Sequence, residues 1–116
     1  MQLSDYVSDQ HFSPVRIADS LRTTRGEIAQ TLGLGRDAFS RAARVRAPKT
    51  QTRLREMLEI LNRVEPQAGS LLAAYAWFRS EPLPGFGNRT PGQLVRDGEA
   101  RKLHAYLDRV AAGGFA

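Results

Sequence analysis

The apolar positions of the chain recur at helical spacing over most of its length. In the segment 50–64, the spacing i, i+3, i+4, i+7 is filled by Leu54, Met57, Leu58 and Leu61. Residues at this spacing lie on one face of an α-helix, so the segment is predicted to be amphipathic with that face in a core. The chain shows no alternating apolar and polar run of useful length. The pattern therefore predicts an all-α fold.

Two N-caps followed by proline mark further helix starts. Ser13 and Thr90 each stand directly before a proline, which favours the first helical position. Between them, the segment 68–78 (AGSLLAAYAWF) is apolar on most faces and is predicted to be the central buried helix. Gly98 interrupts the helix that Thr90 begins. The last helix then carries a stripe formed by Leu103, Tyr106, Leu107 and Val110.

The first half also has the spacing of a helix-turn-helix. Thr24 and Glu27 stand at the spacing of a capping box, and Gly33 supplies a stop signal. The segment 36–45 (RDAFSRAARV) is predicted to be a second short helix that ends before Pro48. Two such helices joined by a turn containing glycine can place the second one in the major groove of DNA.

Basic residues concentrate on this second helix and just after it. Seven bases and one acid lie in the segment 36–55, against ten bases and eleven acids elsewhere. Such a cluster favours a polyanionic partner, although a solvated surface on a three-helix core remains the alternative. Arginine suits guanine edges, and residues at the start of the first helix suit phosphates. The candidate DNA-binding residues are Thr24, Arg25, Arg36, Asp37, Ser40, Arg41 and Arg44.

Two stretches resemble known families. The segment TRGEIAQTLGLGRDAFSR resembles the Xre-type helix-turn-helix of bacterial regulators. The segment 77–116 closely resembles the toxin-binding domain of the Xre/MbcA/ParS antitoxins. That resemblance rests on Trp77, the loop Pro82–Arg89 with Phe86, the helix start TPGQLV, Gly98 and the ending YLDRVAAGGFA. The turn around Pro48 is the expected boundary between an N-terminal domain over 1–47 and a C-terminal domain over 48–116.

The resemblance implies a function that periodicity alone does not show. It implies the antitoxin half of a type II toxin–antitoxin pair, whose partner is a RES-domain enzyme that degrades NAD⁺. The C-terminal end is expected to reach into the toxin active site, and many members repress their own operon. By the same resemblance, the toxin-binding residues are Phe86, Asn88, Arg89, Arg109, Gly113, Gly114, Phe115 and Ala116.

The ending RVAAGGFA is expected to leave the helix at Gly113 and Gly114, because glycine opens conformations with positive φ. Phe115 would then fill a slot suited to a nicotinamide or adenine ring, and the Ala116 carboxylate would pair with basic groups. Phe115 as a cap on the protein's own core is the alternative. Phe86 is either an exposed anchor or folds back onto the helix of Trp77.

Composition limits the remaining functions. The chain has no cysteine, and only two histidines, far apart, so no metal site is expected and a reducing cytoplasm fits. The lone G-x-G of GFGNRTPG lacks a preceding strand, and neither an enzyme nor a cofactor is expected. Apolar surface in the C-terminal half favours a homodimer. A stand-alone helix-turn-helix transcription regulator without a toxin, and an antitoxin that binds no DNA, remain open.

Overall fold

The computed structural model describes residues 1–113, where helices dominate and confirm the all-α prediction. After a 3-10 turn at Leu3–Tyr6, two short antiparallel strands, β1 (Val7–Ser8) and β2 (His11–Phe12), form a hairpin. The helices follow in the order α1 (Pro14–Leu21), α2 (Arg25–Thr31), α3 (Ala42–Val45), α4 (Pro48–Ala68), α5 (Leu71–Ser80), α6 (Pro91–Arg96) and α7 (Ala100–Gly113). In this described part, no helix is long and apolar enough to cross a lipid bilayer.

The N-caps that the sequence predicts are present at the starts of their helices. Ser13 and Thr90 each accept a hydrogen bond from the backbone N–H three residues later. Gln93 completes a capping box, because its side chain accepts from the Thr90 N–H at 2.9 Å. Thr24 caps α2 in the same way, but the Glu27 side chain does not return the bond and is engaged elsewhere.

The helix predicted over 36–45 is wrong in extent. Its first half forms a turn, and only the four residues of α3 are helical. The Asp37 carbonyl oxygen accepts from the Ser40 N–H at 3.1 Å and from Ser40 Oγ at 2.8 Å, so both of its bonds come from the residue three positions later, as in a turn. The side chain of Arg41, at the position before α3, makes no capping hydrogen bond, and Gly35 has no side chain to cap an earlier start. A turn and a very short helix therefore replace the predicted recognition helix.

α4 is the longest element and extends beyond the segment 50–64 predicted from its stripe. It runs for 21 residues, and all four stripe residues are buried. α5 packs along it and buries Ala74, Tyr75 and Phe78. The other side of α5 faces solvent, with Leu72 38% exposed, so the prediction of a central buried helix is correct for one face only.

The buried core draws residues from both sides of the predicted domain boundary. Gln51 of α4 also holds the N-terminal hairpin: its Oε1 accepts from the Phe12 N–H at 2.8 Å. Its Nε2 donates to the carbonyl oxygens of Phe12 and Val45 at 3.1 and 2.8 Å. α4 thus supports both halves, and the division into 1–47 and 48–116 stays a prediction.

α2 packs directly on α6. A Cβ atom at Gly92 would lie 3.1 Å from Thr31 and 3.2 Å from the backbone oxygen of Phe78, so only glycine permits this approach without a shift. Gly33 ends α2 with a φ of +65°, as its stop signal predicts, and the side chain of Arg96 lies across it. The helix that begins at Thr24 is therefore anchored on the C-terminal half.

Candidate functional site

An apolar groove lies between the end of α4, α5 and the second half of α7. Its volume is about 450 Å³. The small side chains of Ala68 and Ala73 leave the space open. The larger side chains that line the groove include Val64, Trp77, Leu107 and Val110. The described part of the chain does not fill this groove.

α7 begins inside the core and ends outside it. Ala100 and Leu103 are buried, Tyr106 is half-buried, and residues 111–113 are exposed. The predicted stripe therefore divides, with its first residue in the core and its later ones beside the groove. Gly113 is the last residue of α7, and the expected departure from the helix at Gly113 and Gly114 stays a prediction.

Arg63 of α4 fixes the direction of α7. Its guanidinium donates to the Asp108 carboxylate and, at 3.2 Å, to the His104 carbonyl oxygen. It also lies 3.2 Å from His104 Nδ1, where the ring nitrogen must be the acceptor because arginine has no lone pair to offer. These contacts hold the helix beside the groove although few of its distal residues are buried.

The loop between α5 and α6 is tied together by Arg89. Its Nε donates to the Phe86 carbonyl oxygen at 3.1 Å, and its Nη1 donates to the carboxylates of Asp97 (3.0 Å) and Glu99. These hydrogen bonds, the one to Asp97 first, raise the pKa of the Arg89 guanidinium. The Phe86 ring packs edge-on against Tyr106 of α7, with 5.7 Å between centroids. The loop is therefore a preformed surface next to α7.

The predicted toxin-binding residues fall into three groups. Asn88, Arg109 and Gly113 are exposed on the loop and on α7. Phe86 and Arg89 are half-buried, and Phe86 packs on Tyr106 of α7, which neither alternative for it foresaw. Gly114, Phe115 and Ala116 lie outside the described residues. All the predicted toxin-binding residues that the structure describes therefore lie on this loop or on α7.

The predicted DNA-binding residues come together in part. A polar cleft of about 370 Å³ lies between the start of α2 and the turn before α3, and it is lined by Thr24, Arg25, Arg36 and Ser40. Asp37, Arg41 and Arg44 are exposed nearby on the turn and α3. They do not share one face of a helix, because that helix is not formed.

The bases of the N-terminal half are exposed and have no carboxylate partner. Within residues 1–113, no basic side chain between residues 16 and 49 forms an ion pair. By contrast, Arg53, Arg63 and Arg89 each pair with an acid of the chain. These basic side chains are therefore not neutralised by ion pairs within the described residues.

A polar junction joins α2 to α5. The Glu27 carboxylate accepts hydrogen bonds from the Thr23 hydroxyl and, at 3.0 Å, from the Tyr75 hydroxyl. Arg79 Nη1 lies 3.6 Å from the same carboxylate, and its guanidinium lies 5.6 Å from the centroid of the Tyr75 ring. Burial raises the pKa of Tyr75 to about 12.

Sequence reasoning missed the groove. The sequence shows the stripe at Tyr106, Leu107 and Val110, but it does not show that these residues border an open groove. The sequence feature that could have indicated the groove is the pair of small residues Ala68 and Ala73, whose side chains leave space opposite that stripe. Periodicity shows that a helix face is apolar and does not show what covers it.

The described fold is small and mostly helical, with an open apolar groove beside a projecting helix and a basic surface in the N-terminal half. Residues 68–113 match the family of the antitoxin Xre/MbcA/ParS C-terminal toxin-binding domain. The match covers the loop and α7, and confirms the resemblance identified from the sequence. This part of the chain is therefore similar to an antitoxin toxin-binding domain, a kind of domain that binds a toxin protein. Comparisons with curated proteins and with solved structures gave no match.

Proposed function

We propose that this protein is the antitoxin of a type II pair and inhibits a RES-domain toxin that degrades NAD⁺. The observation that carries the proposal is the match of residues 68–113 to the toxin-binding domain. That stretch contains both the preformed loop and α7, so the matched part forms one continuous end of the molecule. The protein acts in the cytoplasm by binding alone, with neither cofactor nor catalysis.

The proposed inhibition is occlusion. α7 projects from the core, and Arg63 sets its direction, so its end is presented to a partner. The loop residues Asn88 and Arg89, with Arg109 of α7, contact the rim of the toxin site. Phe115 then occupies the slot of a nucleotide ring, and the Ala116 carboxylate pairs with the bases that otherwise hold phosphates. The groove accepts an apolar side chain of the toxin, as hot-spot pockets do.

Deleting residues 114–116 tests the proposal. The truncated protein is expected to keep its helical circular dichroism and to co-purify with the toxin, because the loop, α7 and groove remain. NAD⁺ consumption by the complex is expected to return to the rate of the free toxin. The matched control is Arg101→Ala, at an exposed position of α7 without an ion pair in the described part. Full protection of NAD⁺ by the truncated protein would contradict the proposed role of the tail.

We also propose that the basic surface binds operator DNA and represses the protein's own operon. The uncompensated arginines and the cleft at Thr24, Arg25, Arg36 and Ser40 support this. Phosphate contacts fix a protein on DNA, whereas base contacts require side chains that reach into a groove. Because α3 has only four residues, Arg41 and Arg44 approach the bases from a short helix and its preceding turn.

Gel shifts with the protein's own upstream region test DNA binding. The Arg36→Ala/Arg41→Ala double variant is expected to lose about 1–3 kcal/mol of binding for each specific contact removed. Arg55→Ala is the matched control, because Arg55 is exposed on α4 but is near Glu59. Equal binding by the double variant and the wild type would refute the assignment. DNA binding without capture of a RES-domain protein encoded next door would favour the stand-alone regulator.

A further inference from the structure

A second cavity lies in the N-terminal half, outside the toxin-binding domain. It is a cleft of about 320 Å³ between the β1–β2 hairpin, the start of α1 and α3. Its walls are mainly apolar and include Phe12, Val15, Phe39 and Val45. Val15 remains 50% exposed, which is unusual for a large apolar side chain of this protein. The volume falls at the lower end of the range of small-molecule sites, roughly 300–1,000 Å³.

The rim of this cleft is positively charged. Arg25 and Arg46 both line it, and neither forms an ion pair within the described residues. Arg46 Nε donates to the Ala42 carbonyl oxygen at 3.3 Å, which leaves its terminal nitrogens available. The other titratable groups are Asp9 and His11, and His11 Nδ1 donates to the Asp9 carbonyl oxygen at 2.8 Å. Two guanidinium groups therefore face one carboxylate.

The apolar walls and the positively charged rim together restrict which molecules fit the cleft. A second copy of the chain would bring further arginines against Arg25 and Arg46, and facing like charges oppose association. DNA would satisfy the arginines, but its phosphates gain nothing from the apolar walls. A molecule with both an apolar body and an anionic group satisfies both parts of the cleft.

We propose that this cleft binds a small organic anion that has one ring or a short alkyl chain and a carboxylate. The apolar body lies between Val15 and Phe39, where it removes apolar surface from water. The carboxylate accepts paired hydrogen bonds from Arg25 or Arg46, in the planar geometry that guanidinium groups favour.

Because it would engage Arg25, such a ligand would also regulate DNA binding. This residue also lines the polar cleft that we assign to DNA phosphates. A bound carboxylate competes with phosphate for the same guanidinium, so the ligand would weaken DNA binding. That consequence rests on the proposed DNA-binding function, whereas ligand binding itself does not.

The test uses four probes that separate charge from apolar body, titrated into the full-length protein and followed by backbone amide NMR shifts. The probes are 3-phenylpropionate, its neutral amide, acetate and inorganic phosphate. Only 3-phenylpropionate is expected to saturate, with shifts centred on Val15, Ala42 and Val45. Because hydrogen bonds to charged groups are strong, Arg46→Ala and Arg25→Ala are each expected to weaken its binding by roughly tenfold. Arg101→Ala is expected to leave binding unchanged.

Several results would overturn the proposal. Equal binding of the amide would show that the arginines do not recognise the ligand, and equal shifts from phosphate would assign the cleft to phosphate alone. Saturable shifts in the groove beside α7, or no saturation by 3-phenylpropionate up to its solubility, would also reject it. DNA binding is not needed for any of these readouts, so a failure here is distinct from a failure of the operator proposal.

Discussion

Glu27 is the residue that links the two ends of the molecule most directly. It lies within one turn of Thr24 and Arg25, which line the polar cleft that we propose for DNA binding, and its carboxylate is bound by Tyr75 and Arg79 of α5. A carboxylate that accepts several hydrogen bonds is held in place, so α2 has a defined orientation on α5. The spacing of Thr24 and Glu27 predicted a local capping box. Only the fold shows that a residue 48 positions away captures this side chain.

Replacing Tyr75 with phenylalanine tests this junction. The variant loses one hydrogen bond to a charged group, so its free energy of unfolding is expected to be about 1–2 kcal/mol lower than that of the wild type. Tyr106→Phe is the matched control, because no hydrogen bond of the Tyr106 hydroxyl is seen in the described part of the chain. Urea unfolding of the three proteins at neutral pH makes the comparison. An equal loss in both variants would show that the Glu27 bond contributes nothing.

The raised pKa of Tyr75 makes a separate prediction at alkaline pH. Tyr75 ionises at about 12 in the folded chain, against 10.0 ordinarily, so the folded state keeps its proton longer. Stability is therefore lost as the pH rises from about 10 to about 12, by up to roughly 2 kcal/mol. Tyr75→Phe is expected to show a correspondingly shallower decline between these pH values than the wild type. Identical declines would contradict the assignment.

Among the elements, helices with local start signals were predictable and α3 was not. Ser13 and Thr90 determine their helix starts through bonds within a few residues, so the sequence alone locates them. The segment 36–45 also has helical spacing, but no cap supports its start, and Ser40 bonds to the turn instead. The groove was not predictable either, because its walls come from three helices whose packing is not encoded locally.

Two glycines at the same position of two helices provide a test of the packing between elements. Gly92 and Gly26 each follow the first residue of a short helix, α6 and α2. Gly92→Ala introduces contacts of 3.1–3.2 Å with Thr31 and Phe78, and is expected to destabilise the fold by about 1–3 kcal/mol. Gly26→Ala meets only Thr24 Oγ1 at 3.9 Å, and is expected to stabilise by about 0.5–1 kcal/mol. Thermal unfolding measures both, and a stabilising Gly92→Ala would show that α2 does not press on α6.

At the scale of the whole molecule, the basic surface and the toxin-binding end are parts of one packed body. The buried core and the contacts of α2 with α5 and α6 connect them without a flexible linker inside the described residues. The predicted homodimer would have to form on surface that this body leaves apolar. Apart from Val15, the large apolar side chain left exposed in residues 1–113 is Leu72 of α5.

Leu72→Asp therefore tests the homodimer. If two copies pair through the C-terminal half, a charge at this exposed position is expected to convert the dimer to a monomer while the helical content is retained. Val15→Asp is the matched control in the N-terminal half and is expected to leave the dimer intact. Light scattering of toxin-free protein gives the mass. A wild-type monomer at high micromolar concentration would contradict the prediction, and so would a Leu72→Asp dimer.

The projection of α7 from the core has a consequence for how its length can change in the antitoxin role that we propose. A helix advances about 1.5 Å and turns about 100° with each residue. One residue inserted after Val110 would thus move the end of α7 only slightly further along the axis but rotate it by about 100°. An insertion of four residues would move it about 6 Å while nearly restoring its direction. If the C-terminal end occludes a toxin site as we propose, only insertions close to whole helical turns would lengthen α7 and keep its end in the same orientation.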